Sequence, residues 1–128
     1  MIRAALFTLA AIIAASAPAH SAITQKFDRA AFTAAQTQGR PILVEVKAWW
    51  CPVCASQGRT IASATKASAF DKLVIFEINY DSQKPEWKSF NVRKQATLIG
   101  FRGDREVGRI EFQTDKALIG TLLSTTVR

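Results

Sequence analysis

The chain has two cysteines, Cys51 and Cys54, and they stand two residues apart in Trp49-Trp50-Cys51-Pro52-Val53-Cys54. A thiol attacks only as the thiolate. A cysteine in the first turn of a helix lies against unpaired backbone N–H groups and the positive end of the helix dipole, which favour that charge. Cys51 has this setting. A β-branched, mostly apolar run over 42–47 leads up to it, and a helix-compatible run from Pro52 to about 68 follows, with proline where a first helical turn tolerates it. A strand that delivers Cys-x-x-Cys to a helix start reads as a redox pair. Cys51 would attack a disulfide, and Cys54, one turn further in, would resolve the mixed disulfide.

Two other uses of paired cysteines compete with this one. A structural disulfide closing so short a loop restrains the unfolded chain little, by about 2 kcal/mol. A zinc site takes about four ligands. There is no third cysteine, and the one histidine, His20, falls in the leader described below. A dithiolate site for copper(I) or zinc is therefore the alternative to redox exchange, and no further metal ligand is assigned.

The 128 residues suffice for one domain, and a hydrophobic content of 48% supplies a core. Lys plus Arg number 17 against 10 Asp plus Glu, a formal net charge of +7. These basic residues form no continuous tract and accompany no stacking or groove-reading motif, so nucleic acid is not expected as a partner. Residues 1–22 read as a secretory signal. Arg3 supplies the positive start, 4–15 the apolar segment and Ala17-Pro18-Ala19 a small-residue cleavage motif, with cleavage after Ala19, Ser21 or Ala22 equally compatible. The apolar run is shorter than the ~20 residues that span a membrane. The mature domain is then 23–128, exported and expected to act as a monomer in an oxidising compartment, where such a pair works as oxidant, isomerase or maintained reductant.

The elements that would position the pair follow from periodicity. Asp28 caps a predicted helix over 29–37 with Phe32 inward, Gly39 at its end and Pro41 blocking continuation. The strand over 42–47 puts Ile42, Val44 and Val46 on one face and Leu43, Glu45 and Lys47 on the other. Glu45 has two readings: a solvated pair with Lys47 on an edge strand, or a partly buried acid that moves protons for Cys54. The helix after Cys54 carries Ile61, Ala62, Thr65, Ala69 and Phe70 at roughly helical spacing. Residues 72–80 form a nearly continuous apolar strand interrupted by Glu77, as in a central position buried on both faces. Pro85 opens a short helix, 97–101 and 106–112 flank a hairpin turn, and Thr114 or Asp115 caps a last helix whose Ala117, Leu118, Ile119, Leu122 and Leu123 cover one sheet face. A βαβ unit followed by a hairpin is an α/β fold, a mixed central sheet of four to five strands with helices on both faces.

These residues together resemble the thioredoxin fold over nearly the whole mature chain. The likeness rests on the strand 41–47, on Ala48 to Cys54, on the strand from Val74 to Asp81 and on Gln95-Ala96-Thr97-Leu98-Ile99-Gly100-Phe101 with its hairpin. It is most similar to the small exported thioredoxin-like proteins of bacteria. The resemblance implies a protein thiol–disulfide oxidoreductase whose one redox group is the Cys51–Cys54 disulfide, with no added cofactor. It places Cys51 as nucleophile, Cys54 as resolving cysteine and Glu45 as the buried acid of the family. Trp49, Trp50, Pro52, Val53, Ala96 and Thr97 would form the substrate-docking lip. Ala96 stands where thioredoxins have a cis-proline, and a cis bond before a non-proline residue costs ~3 kcal/mol, so a trans bond and a less shielded space beside the sulfurs are expected. Protein thiols and disulfides are the implied substrates. A membrane thiol transporter is the implied electron donor if the protein is a reductant.

Overall fold

The computed structural model describes residues 21–128 and the isolated Ala14. The signal segment predicted over 1–22 lies outside the described residues except for Ala14, Ser21 and Ala22. The elements in chain order are β1 (Ile23–Lys26), α1 (Arg29–Thr37), β2 (Pro41–Lys47), α2 (Pro52–Ala64), a 3₁₀ turn (Ser68–Phe70), β3 (Val74–Asn79), α3 (Lys84–Ser89), β4 (Thr97–Arg102), β5 (Arg105–Glu111) and α4 (Lys116–Val127). They build a five-stranded mixed sheet in the order β1-β3-β2-β4-β5. β2 runs parallel to β3 and antiparallel to β4, which places it at the centre.

That position overturns the edge-strand reading of 42–47. With hydrogen-bonded partners on both sides and a layer on each face, residues 42–46 are all buried. Ile42, Val44 and Val46 join Phe27, Phe32, Phe76, Trp87 and Phe101 in one core, under α1 and α3. Leu43 faces the other core with Ile61, Leu73, Ile75, Leu98, Ile119, Leu122 and Leu123, under α2 and α4. The alternation read from the sequence is therefore correct, and each fully buried aliphatic side chain contributes about 1.5–3 kcal/mol. Four phenylalanines, Phe27, Phe32, Phe76 and Phe90, meet edge to face or tilted with centroids 5.2–5.9 Å apart, a geometry their ring quadrupoles favour.

Local chemistry explains the element ends. Asp28 accepts from Ala31 N at 2.8 Å and Asp115 from Leu118 N at 2.8 Å, so both carboxylates cap their helices. Thr114 is not the cap. Gly103 takes φ +58 in the hairpin turn, and Gly39 takes φ +69 after α1. α2 stops at Ala64 rather than near 68, because Thr65 leaves helical geometry and turns its hydroxyl back to Ile61 O at 2.8 Å. Ala62, within α2, and Ala69, beyond its end, are exposed and not part of the inward stripe. In α4, Ala117 and Leu118 also face outward, and Ile119, Leu122, Leu123 and Thr126 cover the sheet instead.

The sequence reading omitted β1. Ile23–Lys26 is short, mostly polar and mostly exposed, and it is a strand only through pairing with β3, where Ile23 lies opposite Val74 and Lys26 opposite Glu77. Among the described residues, no helix is long and apolar enough to cross a membrane.

α4 lies close on the hairpin because Gly100 carries no side chain. A Cβ there would run into Thr126 Oγ1 and come within 3.1 Å of Leu122 Cδ1. Gly100→Ala is expected to lower stability by about 1–3 kcal/mol in urea denaturation. The Gly100→Ala/Thr126→Ala double variant should lose less than the sum of the two single losses, since the obstacle is then gone.

Candidate active site

The chain leaves β2 at Lys47, turns through Ala48 with Cys51 N donating to Ala48 O at 3.2 Å, and enters α2. Cys51 is the N-cap of α2, in extended backbone geometry, and Pro52 opens the helix. Cys51 Sγ accepts the Cys54 N–H at 3.1 Å, the bond a side-chain oxygen makes at other caps. Cys51 and Cys54 form a disulfide with Cα atoms 5.2 Å apart. The sulfur that would ionise on reduction is thus held against the positive end of a 13-residue helix.

Both cysteines are only 3% exposed. They pack with Ala48 and Ala96, and Val53 and Tyr80 close the cluster. The less shielded space expected beside the sulfurs is not found: Ala96, itself fully buried, packs in one cluster with them. Among the described residues no peptide bond is cis, so Gln95–Ala96 is trans as expected. Ala96 instead adopts φ +60, a left-handed conformation that costs a residue with a side chain about 1–2 kcal/mol. Its N–H donates to Val46 O at 2.7 Å, and its carbonyl accepts from Phe112 N at 2.9 Å and Gln57 Nε2 at 3.0 Å.

Those bonds revise the predicted lip. Ala96 and Thr97 are 0% and 1% exposed, the Ala96 backbone groups are taken, and the Thr97 hydroxyl donates to Lys94 O at 2.9 Å. Neither offers a partner a side chain, and Ala96 packs in the cluster with the pair. Trp49 is 90% exposed and Trp50 45% exposed, Pro52 is exposed and Val53 is half-buried, so these four remain at the surface. Trp50 is fixed by its indole N–H, which donates to Asp81 Oδ2 at 2.9 Å, and by an edge-on contact with Tyr80. Tyr80 stacks in turn on Trp87 at 4.9 Å. Asp81, Tyr80, Gln57 and Phe112 were not singled out from the sequence. Gln57 alone left a signal there, a polar residue in helical register with Cys54 and Ile61.

Glu45 is 6% exposed and lies behind the pair. It lines one cleft of about 410 Å³ with Cys54, Thr24, Lys47, Arg59 and Glu77. Burial pushes its carboxyl up from the ordinary 4.5 to about 7; Lys47 opposes the rise and Glu77, its register partner on β3, adds to it. Lys47 does not pair with Glu45 on a solvated face. Its ammonium reaches Glu77 at 3.2 Å, across half-exposed surface. Among the described residues no group of three or more His, Cys, Asp or Glu side chains comes together to hold a metal ion.

A disulfide at a helix start, beside a carboxyl that changes charge near neutral pH, defines a thiol–disulfide exchange centre on a thioredoxin fold. The family model for thioredoxin matches residues 23–124. Over 71 residues the chain is 30% identical to the thioredoxin of Alicyclobacillus acidocaldarius subsp. acidocaldarius, covering 56% of this chain and 67% of that protein. The crystal structure of Trxlp from Edwardsiella tarda EIB202 superposes with a TM-score of 0.76 at 38% identity, over 79% of this chain and 98% of that one. A thioredoxin of Malassezia sympodialis, at 15% identity, shares the fold alone, with a TM-score of 0.73 over 88% of this chain and 96% of its own. The chain belongs to the thioredoxin family. It is a thiol–disulfide oxidoreductase, of a family that acts on protein thiols and disulfides.

The raised Glu45 value sets a sign for pH dependence. A carboxyl of higher pKa in the folded state stays protonated while the unfolded chain ionises, so its stabilising contribution is full below about 4.5 and is lost as pH rises through about 7. Wild type is expected to lose on the order of 3 kcal/mol between pH 4.5 and pH 8 relative to Glu45→Gln. Denaturant unfolding of both proteins across that range measures the difference, and parallel curves would remove the assignment.

Proposed function

We propose that the protein is exported to the periplasm and works there as a reductant of protein disulfides, through Cys51 as nucleophile and Cys54 as resolving cysteine. The observation that carries this reading is the Cys51 Sγ at the N-cap of α2, with Glu45 and Cys54 sharing one cleft behind it. Starting from the dithiol, the Cys51 thiolate attacks one sulfur of the substrate disulfide. That S–S bond breaks, a mixed disulfide forms, and the departing substrate thiolate takes a proton. Glu45, ionised, accepts the Cys54 thiol proton through the cleft, and the Cys54 thiolate attacks Cys51 Sγ. The second substrate thiolate leaves, and the Cys51–Cys54 disulfide remains. Two electrons have passed from the protein to its substrate, so a donor must return them. A membrane thiol transporter fits an exported domain.

The lean towards reduction comes from how little beyond the helix N-terminus stabilises the thiolate. Strong oxidants of this chemistry owe their poise to a stabilised reduced form. Among the described residues, Cys51 Sγ accepts a hydrogen bond only from Cys54 N. Lys47, at the end of β2, is engaged by Glu77, and an ionised Glu45 would oppose a second negative charge nearby. The exposed Trp49, Trp50 and Pro52 suit apolar segments around a disulfide in an unfolded or loosely folded partner. The segment before Ile23 has the make-up of a secretory signal, which supports export.

Equilibration with glutathione buffers is expected to give the Cys51–Cys54 couple a potential near thioredoxin's, about −270 mV; a value near −120 mV would make it an oxidant. Cys54→Ser should accumulate mixed disulfides with partner proteins through Cys51, and Cys51→Ser should not. Mass spectrometry of the secreted form should find a first residue after Ala19, Ser21 or Ala22. Stoichiometric copper(I) binding by the reduced protein, without catalysed disulfide reduction, would favour the dithiolate metal site instead.

A further inference from the structure

Gln57 is 2% exposed on α2, one turn beyond Cys54 and on the same buried side as Cys54 and Ile61. Its carboxamide donates to Ala96 O at 3.0 Å and to Gln113 O at 2.9 Å, which uses both amide hydrogens. Because both partners are carbonyl oxygens, only the nitrogen can face them. The two carbonyls lie just outside the sheet, one before β4 and one after β5. Both segments carry left-handed backbone at residues with side chains, φ +60 at Ala96 and φ +52 at Phe112. Packing does not explain the second, since Phe112 is 41% exposed.

The two segments share a place. Ala96 packs against both cysteines, Phe112 N donates to Ala96 O, and Lys94 holds its Nζ 4.3 Å over the Phe112 ring. Lys94, Gln95 and Phe112 thereby present a surface beside the disulfide that the tryptophans do not supply. That surface lies just outside the ladders of β4 and β5, tied to β2 by the Ala96 N–H on Val46 O, and one buried side chain on the active-site helix spans both of its supports.

We propose that Gln57 is a positioning residue of the redox centre: its carboxamide clamps the Ala96 and Gln113 carbonyls to α2 and so sets the Lys94–Phe112 wall that a protein substrate meets beside Cys51. The inference rests on Cys51–Cys54 being the exchanging pair. The wall touches a folded or extended polypeptide; a small disulfide reaches the sulfur without it. Loss of the clamp must therefore separate the two kinds of substrate.

The test is the reduced protein assayed with insulin and with bis(2-hydroxyethyl) disulfide, in wild type and Gln57→Leu. The variant is expected to lower the second-order rate constant for its single-turnover oxidation by insulin about tenfold, the scale of one to two lost hydrogen bonds, and to leave that for the small disulfide within about twofold. Equal losses with both substrates would make Gln57 a support of the fold only and overturn the proposal, as would no change with insulin. A wild-type protein inactive on both disulfides would instead remove the exchange reading on which the proposal stands, and the proposal with it. If Gln57→Leu does not fold, Gln57→Met, unbranched and equally without donors, is read the same way; if neither folds, the residue is structural and the proposal falls.

Discussion

The disulfide follows the carboxyl end of β2, the central strand of the sheet, which is hydrogen-bonded on both sides and covered on both faces. β2 can occupy that place because residues 42–46 are apolar in every position but Glu45. A strand so enclosed leaves little freedom at its end, and the turn through Ala48 inherits that rigidity. The helix start that follows is therefore presented at a fixed angle, with Cys51 Sγ already in the cap position. Preorganisation of this kind matters for thiol exchange, because attack on a disulfide is directional and the thiolate gains from the helix N-terminus only when held against it.

Glu45 is the exception that gives the enclosed strand its chemistry. A carboxyl so buried resists ionisation, and the resistance brings its proton into the range where thiols exchange theirs. The surrounding charges moderate the effect without cancelling it. Lys47 stands two residues on along the same face and lowers the value, but it is shared with Glu77, whose own charge pushes the other way. The cleft that joins Glu45 to Cys54 also reaches Thr24 on the added edge strand β1.

The other wall of the site is made from strained backbone. Ala96 fits against the sulfurs in a left-handed conformation on a trans peptide, and its neighbours supply three hydrogen bonds that over-determine it. Strain beside reactive groups persists where the surroundings fix it. Here the fixing groups come from β2, from the residue after β5 and from α2.

Much of this was readable in the residues. Cys51 and Cys54 declare their chemistry by spacing, by the apolar run that precedes them and by Pro52 after them, because those signals are local and each has a direct physical cause. Period two in 42–47, the caps at Asp28 and Asp115 and the turn at Gly103 are local in the same sense. What pairing and packing settled was of another kind. Whether Glu45 is buried depends on which strands flank β2, and no residue within 42–47 carries that information. β1 is a strand only because β3 offers it an edge. Ala96 and Gln57 took their roles from partners far along the chain, the Gln57–Ala96 bond joining residues 39 apart and the Gln57–Gln113 bond residues 56 apart. Local sequence sets which conformations are cheap; the distant partners that satisfy a buried carboxyl, a strained carbonyl or an edge strand exist only once the chain has folded.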